Sequence, residues 1–308
     1  MNVAVTGGSG FIGSHVVDQL LAAGHTVRVL DGARPRRSDV EWSPCDITRL
    51  SQVVGSLKGC DAVFHLAAMA NVNDVAAAPA ESVDLNVMGT AAILEAARLA
   101  GKMHVILAST VWVYEATGDT KVNEATPLDP AAVSHLYMAE KISSEMLAHA
   151  YGRMYEFPVT VLRYGIPYGP RMREELVMPI FIKKALAGQP LTVAGDGLQY
   201  RNFIYVEDLA AAHVRVLETG ATGAFNLEGP REVAIIELAE AVCRAVPGNA
   251  GIVRTEARGG DYQGRVVSRD KALEVLGWEP RTSFEDGFQR TLEWFMVKWS
   301  EQLSAVAS

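Results

Sequence analysis

Thr6-Gly7-Gly8-Ser9-Gly10-Phe11-Ile12-Gly13 decides how this chain is read. The run Asn2–Thr6 before it is apolar and strand-like, and Phe11–Ala23 after it reads as a helix closed by Gly24. Glycines at 7, 10 and 13 let the turn be tight, let backbone approach a pyrophosphate, and let the helix pack closely on the sheet. The helix N-terminus, with the amides of Phe11, Ile12 and Gly13, then offers free N–H groups to phosphate oxygens. The next strand, Thr26–Asp31, ends on an acid 18 residues after Gly13. A carboxylate there is placed to hold ribose hydroxyls, and it repels a 2′-phosphate, so NAD is expected over NADP. Arg34, Arg36 and Arg37 follow closely and would suit that phosphate. They are read first as a solvated basic loop.

Outward from the loop, short apolar strands alternate with helical stretches. Asp61–Leu66, Val105–Ser109 and Val159–Arg163 are buried-strand runs, and the segments 82–100 and 135–151 between them read as helices. This rhythm predicts an α/β chain with a Rossmann-type, doubly wound parallel sheet covered on both faces. After Arg163 the pattern loosens into Gly- and Pro-rich turns around a helix near Val177–Ala187. The expected division is a cofactor-binding domain over 1–164, rejoined by 198–220. A smaller mixed α/β substrate domain would take 165–197 and 221–308.

Composition narrows the function classes. The chain has 308 residues, 49% hydrophobic, with a formal net charge of −8. The acidic balance argues against nucleic acid as a partner. No apolar run approaches the ~20 residues that a membrane span needs. Met1 leads straight into a strand, so no signal peptide is read and a soluble, cytoplasmic protein is expected. Cys45, Cys60 and Cys243 have no metal-ligand spacing and read as reduced thiols.

Three further positions invite chemistry. Asp46-Ile47 follows a probable third strand, where the adenine edge would rest; Asp46 reads equally as a turn or helix cap before Thr48. Tyr137 and Lys141 stand four residues apart on a predicted helix, hence on one face. A neighbouring cation stabilises a phenolate and makes tyrosine a usable acid and base near neutral pH. Ser109-Thr110 ends a strand upstream and offers a hydroxyl to the same substrate oxygen.

With these residues in hand the chain resembles the extended short-chain dehydrogenase/reductase family, and within it the NAD-dependent epimerase/dehydratases of sugar nucleotides. The resemblance rests on TGGSGFIG at 6–13, HLAA at 65–68, NVMGT at 86–90, ASTVWVY at 108–114, YMAEK at 137–141, LRYGIPYGP at 162–170, GDGLQYRNFIYVEDLA at 195–210 and LGWEP at 276–280. It implies that Thr110, Tyr137 and Lys141 are catalytic, with Lys141 also holding the nicotinamide ribose. It implies cofactor contacts from Leu66, Ala67, Ala68 and Tyr164. Substrate contacts are implied for Thr110, Ile166, Val177, Arg201 and Arg258, the two arginines gripping a nucleoside-diphosphate sugar. It also implies a homodimer paired through the helices 82–100 and 135–151, which are rich in Ala and Leu on more than one face. Asn86 is expected to tie neighbouring backbone together, and His65 to pack at a strand end without chemistry.

Four positions depart from the family pattern. Val111 and Trp112 stand where the 4,6-dehydratases carry an Asp-Glu pair, and Trp112 stands where the nucleotide-glucuronate decarboxylases carry Glu. Ile166 replaces an Asn, and Glu115 replaces the Gly that follows Val-Tyr. An apolar pair cannot do carboxylate acid/base work, so hydride transfer at a carbinol is the expected chemistry. The favoured reaction is 4-epimerisation of a nucleoside-diphosphate hexose. A nucleotide-4-ketosugar reductase using NAD(P)H is the alternative, with a dehydratase, or a cofactor-sensing regulator without catalysis, further behind.

Overall fold

Five of the strand-like runs, joined by Glu41–Ser43 and by Gly223–Leu227, a stretch expected in the substrate domain, become one parallel sheet. In chain order its strands are β1 (Asn2–Thr6), β2 (Thr26–Leu30), β3 (Glu41–Ser43), β4 (Ala62–His65), β5 (His104–Thr110), β6 (Val159–Tyr164) and β7 (Gly223–Leu227). They lie in the order β7-β6-β5-β4-β1-β2-β3, every pair parallel. The computed structural model describes residues 1–101, 103–256 and 264–306. Among these, one compact unit comprises Met1–Tyr164, Ala210–Leu227 and Val266–Glu279, and the second takes the remainder.

The first unit carries the sheet. β1, β4, β5 and β6 are buried nearly end to end, as strands covered on both faces must be. Val5, Val29, Val63, Leu107 and Val161 are essentially inaccessible. The covering helices are α1 (Phe11–Ala22), α2 (Leu50–Ser56), α3 (Gly89–Leu99) and α4 (Leu136–Tyr155). Strand order reverses about β1, so β1 and β4 diverge into connections on opposite sides and open a crevice at their carboxyl ends.

Two helices differ from expectation. The stretch 82–100 is helical throughout, from Pro79–Val83 through a π-helical turn, Asp84–Met88, into α3. The cause lies at Asn86. Its Oδ1 accepts from Met69 N at 2.8 Å and its Nδ2 donates to Met69 O at 2.9 Å. The side chain is drawn sideways to pair with another segment's backbone, and a wide turn accommodates it. The helix read from His135 begins at Leu136, with His135 as its cap, and runs one turn further to Tyr155.

α4 has an unusual buried face, because Tyr137, Glu140, Lys141, Ser144 and Glu145 are all on it. Glu145 Oε2 meets Arg163 Nη2 at 2.6 Å and Oε1 accepts from Ser109 Oγ at 2.5 Å. Arg163 Nη1 donates to Tyr114 Oη at 2.8 Å, and that hydroxyl donates to Asn226 Oδ1 at 2.9 Å. Burial alone would lower the Arg163 pKa, but the hydrogen bonds and charge of Glu145 hold it above the ordinary value.

The second unit is built from smaller pieces. Ile166–Tyr168 pairs in parallel with Phe203–Tyr205, and Leu191–Ala194 with Ile252–Thr255. Tyr200–Arg201 pairs antiparallel with Val233–Ala234. Helices Val177–Leu186, Ile235–Ala245 and Phe284–Val306 complete it. Its centre is aromatic, with Tyr168, Phe203, Tyr205, Phe284 and Phe288 buried together.

Breaking the buried ion pair of the first unit should be costly. Glu145→Gln leaves the Arg163 charge uncompensated in the interior and is expected to destabilise the fold by about 3–5 kcal/mol. The double change Glu145→Leu with Arg163→Met should recover much of that loss. Urea unfolding of the three proteins measures both effects.

Candidate active site

The carboxyl ends of the parallel strands bring the sequence-derived residues of the first unit to one edge of the sheet. Gly7 follows β1, Asp31 follows β2, Leu66 follows β4, Thr110 ends β5 and Tyr164 ends β6. Thr110 and Tyr164 are register partners.

At β1 the loop is fixed by geometry that only glycine permits. Gly7 has φ +68°, and a Cβ there would lie 2.8 Å from Ala67 N. A Cβ on Gly13 would lie 2.1 Å from Gly7 O. Thr6 Oγ accepts from the amides of Leu66 and Ala67, both at 3.1 Å, which ties the segment 66–68 to the loop. Helix α1 begins after Gly10 with no side-chain cap and no acid in its first turn, so the leading amides of Phe11, Ile12 and Gly13 are left to an anionic group. The Asp31 carboxylate is oriented by Ser9 N at 3.0 Å and Ala33 N at 2.9 Å and keeps accepting capacity for hydroxyls. These residues fit a dinucleotide. Of the basic loop, Arg37 is engaged by Asp39 at 2.5 Å and Asp18 at 3.3 Å, and Arg34 lies over the Trp42 ring at 4.5 Å.

Asp46 and Ile47 separate in character. Ile47 is buried, and the Asp46 carboxylate turns to Thr48, accepting from its N at 3.0 Å and Oγ at 2.7 Å. His65 bridges Thr6 Oγ at 2.9 Å and Thr90 Oγ at 3.1 Å. Burial, helped by the Lys141 charge, lowers its pKa to about 3, so it stays neutral.

Tyr137 and Lys141 lie on the buried face of α4 at 9% and 7% exposure. Lys141 Nζ donates to Ala108 O at 3.0 Å and sits 5.8 Å from the centre of the Tyr137 ring. Thr110 Oγ accepts from Trp112 N at 3.2 Å, which leaves its O–H to donate elsewhere. The Tyr164 hydroxyl meets His213 Nε2 at 2.6 Å, and burial first, then the nearby Tyr137, raises its pKa. A phenol beside a cation and a donor hydroxyl can pass a proton to and from a carbinol oxygen.

In the second unit, Ile166 N donates to Asn202 O at 2.9 Å, Val177 opens its helix half-buried, and Arg201 Nη1 donates to Tyr200 O at 2.9 Å. Arg258 lies outside the described residues.

Three residues near Tyr137 escaped the sequence reading. His213 had no local signal, because its partner is 49 residues away. Glu140 is 1% exposed and accepts from Asn86 Nδ2 at 2.6 Å and from Ser82 Oγ; an acid beside a lysine on a helix reads as a surface pair. His135 caps α4, with Nδ1 accepting from Met138 N at 3.2 Å. Its position two residues before Tyr137 was the available signal.

A parallel sheet with this loop and a Tyr–Lys pair on the helix after β5 defines an extended short-chain dehydrogenase/reductase. The model of the NAD dependent epimerase/dehydratase family matches residues 3–227, and the chain belongs to that family. It is an enzyme family, and NAD is its cofactor. The chain is 34% identical to a dTDP-glucose 4,6-dehydratase of Neisseria meningitidis, over 96% of this chain and 93% of that one. A UDP-glucose 4-epimerase of Thermotoga maritima, solved with UDP-glucose, superposes with a TM-score of 0.89 at 31% identity, covering 97% of this chain and all of the other. DesIV of Streptomyces venezuelae, a dTDP-glucose 4,6-dehydratase solved with NAD and TYD bound, gives 0.87 at 30% identity over 96% and 97%.

Burial lowers the Lys141 ammonium to about 8, partly offset by Glu145 and Glu140. From about 8 up to the ordinary 10.5, an unfolded lysine holds a proton that the folded one has released, so this group's contribution to stability rises with pH across that window. Function runs the other way, since the cation beside Tyr137 disappears as pH rises through about 8. Turnover should therefore show an alkaline limb near that pH. Lys141→Arg, which keeps its charge, should lose the limb whatever its absolute rate. A pH–rate profile of both proteins checks this.

Proposed function

We propose that the enzyme is an NAD-dependent nucleotide-sugar epimerase that inverts C4 of a nucleoside-diphosphate hexose. The observation that carries this reading is the pairing of Tyr137, Lys141 and Thr110 with a carboxylate-free segment at Val111-Trp112. Removing water from C5 and C6 requires an acid and a base there, and neither side chain can act as one. The relatives include 4-epimerases, 4,6-dehydratases and UDP-glucuronic acid decarboxylases, and this residue pair favours the first.

Bound in the loop and helix cradle, NAD supplies a hydride acceptor and, once reduced, a hydride donor. Tyr137, held as phenolate by the Lys141 ammonium, takes the proton of the C4 hydroxyl while Thr110 donates to the same oxygen. The product of that half is a 4-keto sugar. After the sugar presents its other face, Tyr137 returns the proton to the new C4 hydroxyl. Asp31 is the proposed seat of the adenosine ribose, and Lys141 that of the nicotinamide ribose. Arg201 and Arg258 are the proposed grips on the diphosphate, for which guanidinium forks are suited. The free thiols Cys45, Cys60 and Cys243 accord with a reducing compartment, and we place the enzyme in the cytoplasm.

Reaction in deuterium oxide separates the candidates. An epimerase should convert UDP- or dTDP-glucose to its C4 epimer without solvent deuterium on carbon, whereas a dehydratase exchanges C5 and produces a 4-keto-6-deoxy sugar. Tyr137→Phe should reduce turnover by at least ~10²–10⁴-fold while retaining NAD. Turnover within tenfold of the parent would assign the proton to another residue.

We also propose a homodimer. Met88 and Leu99, in the segment 82–100, and Met146 and Met154 on α4 are exposed by 54–71%. Apolar side chains gathered on two helices suit a partner face. Sedimentation at micromolar concentration should give twice the chain mass, and Met146→Glu should shift it to a monomer.

A further inference from the structure

Four charged side chains are buried where α4 packs on the sheet: Glu140 at 1% exposure, Lys141 at 7%, Glu145 at 4% and Arg163 at 6%. Two of them answer each other. Glu145 and Arg163 meet through a fork of hydrogen bonds at 2.6, 3.0 and 3.2 Å. Glu140 and Lys141 are left, adjacent in sequence, and neither forms an ion pair among the described residues. The Glu140 carboxylate accepts from neutral donors, Asn86 Nδ2 at 2.6 Å and Ser82 Oγ. The Lys141 ammonium donates to a neutral carbonyl, Ala108 O at 3.0 Å. A buried charge with no opposite charge near it is costly, and such a group tends to shed the charge by changing its protonation. A carboxylate and an ammonium on neighbouring residues lower that cost for each other.

The other ionisable groups on the elements packed around α4 do not fill this role. Glu145 also opposes the loss of the Lys141 proton, but the guanidinium forked onto it cancels much of its charge. His65 on β4 is kept neutral by burial. Tyr164 on β6 turns to His213, and Tyr114, in the turn after β5, donates to Asn226. Glu115 accepts from Ser134. Asp74, Glu81 and Asp84 are exposed, and Glu95 pairs with Arg98. We propose that Glu140 is the counter-charge of Lys141, a positioning residue that keeps the ammonium beside Tyr137 cationic without itself touching the substrate. The inference rests on the proposed function in one respect, that turnover uses the Lys141 cation.

Glu140→Gln removes the charge and little else. Its amide oxygen can accept from Asn86, and its NH2 can donate to Ser82 Oγ, whose own proton then turns to Pro79 O at 3.2 Å. Two readouts are taken on the full chain saturated with NAD. The first is the titration midpoint of the Lys141 ammonium, by NMR of isotope-labelled lysine, with the signal assigned by its loss in Lys141→Arg. The second is the pH–rate profile on UDP- or dTDP-glucose. In the parent both should fall near the Lys141 value of about 8. Glu140→Gln should move both to lower pH by about one unit, a tenfold change in proton affinity, so that activity lost at neutral pH returns on acidification. Glu140→Asp keeps the charge and should stay near the parent. Glu140→Ser is the neutral variant to use if the glutamine protein does not fold. A Lys141 midpoint unmoved by the neutral variant, or moved as far by Asp, would overturn the proposal. The first readout needs no turnover, so the two readings fail separately. A midpoint that moves while the rate profile stays would leave the counter-charge standing and take the Lys141 cation out of the chemistry.

Discussion

The buried ammonium of Lys141 is the constraint around which the first unit is organised. A lysine inside a protein is expensive unless it is met by carbonyls and carboxylates, and α4 supplies them on its own face. Ala108 O receives the ammonium directly, while Glu140 and Glu145 oppose the lowering of its pKa by burial. Each of those acids must then be met in turn. Glu145 is answered by Arg163 and Ser109, and Glu140 by Asn86 and Ser82. The helix that carries the proposed chemistry therefore packs through a polar network rather than an apolar stripe. That network locks α4 to β5, β6 and the π-helical turn around Asn86, and through Met69 to the segment after β4.

Topology explains why the glycine loop and the Tyr–Lys pair, far apart in sequence, lie at one edge of the sheet. Parallel strands deliver their carboxyl ends together, so whatever follows β1, β2, β4, β5 and β6 is collected there. Close packing sets the fine positions. Gly7 approaches Ala67, Gly13 approaches Gly7, and Thr6 ties both sides through one hydroxyl. Thr110 and Tyr164 sit side by side because β5 and β6 are in register there.

Beside this shared frame, the segment 111–115 and the cap of α4 give the site its own character. Where dehydratase relatives are expected to present carboxylates, Trp112 presents an indole, and His135 adds an imidazole from the neighbouring helix. Trp112 counts as apolar in a sequence pattern; only its buried nitrogen without a partner reveals the polar half of its nature.

The sequence by itself determined most of the sheet, the glycine loop and the Tyr–Lys pair, because each is written in local periodicity or in glycines that turn geometry or close packing requires. The Gly223–Leu227 strand, which joins the sheet from beyond the expected domain boundary, was not legible. Asp31 was legible from its place directly after a strand. Tertiary structure alone decided the rest. The π-helical turn in the 82–100 stretch goes with Asn86 finding Met69, and the burial of Glu140 with Asn86 and Ser82 from another segment. The Tyr164 hydroxyl meets His213, 49 residues further along the chain. The packing of Trp112 against His135 arises where two chain segments meet. Such properties come from long-range packing and desolvation, which bring together residues that no spacing along the chain relates.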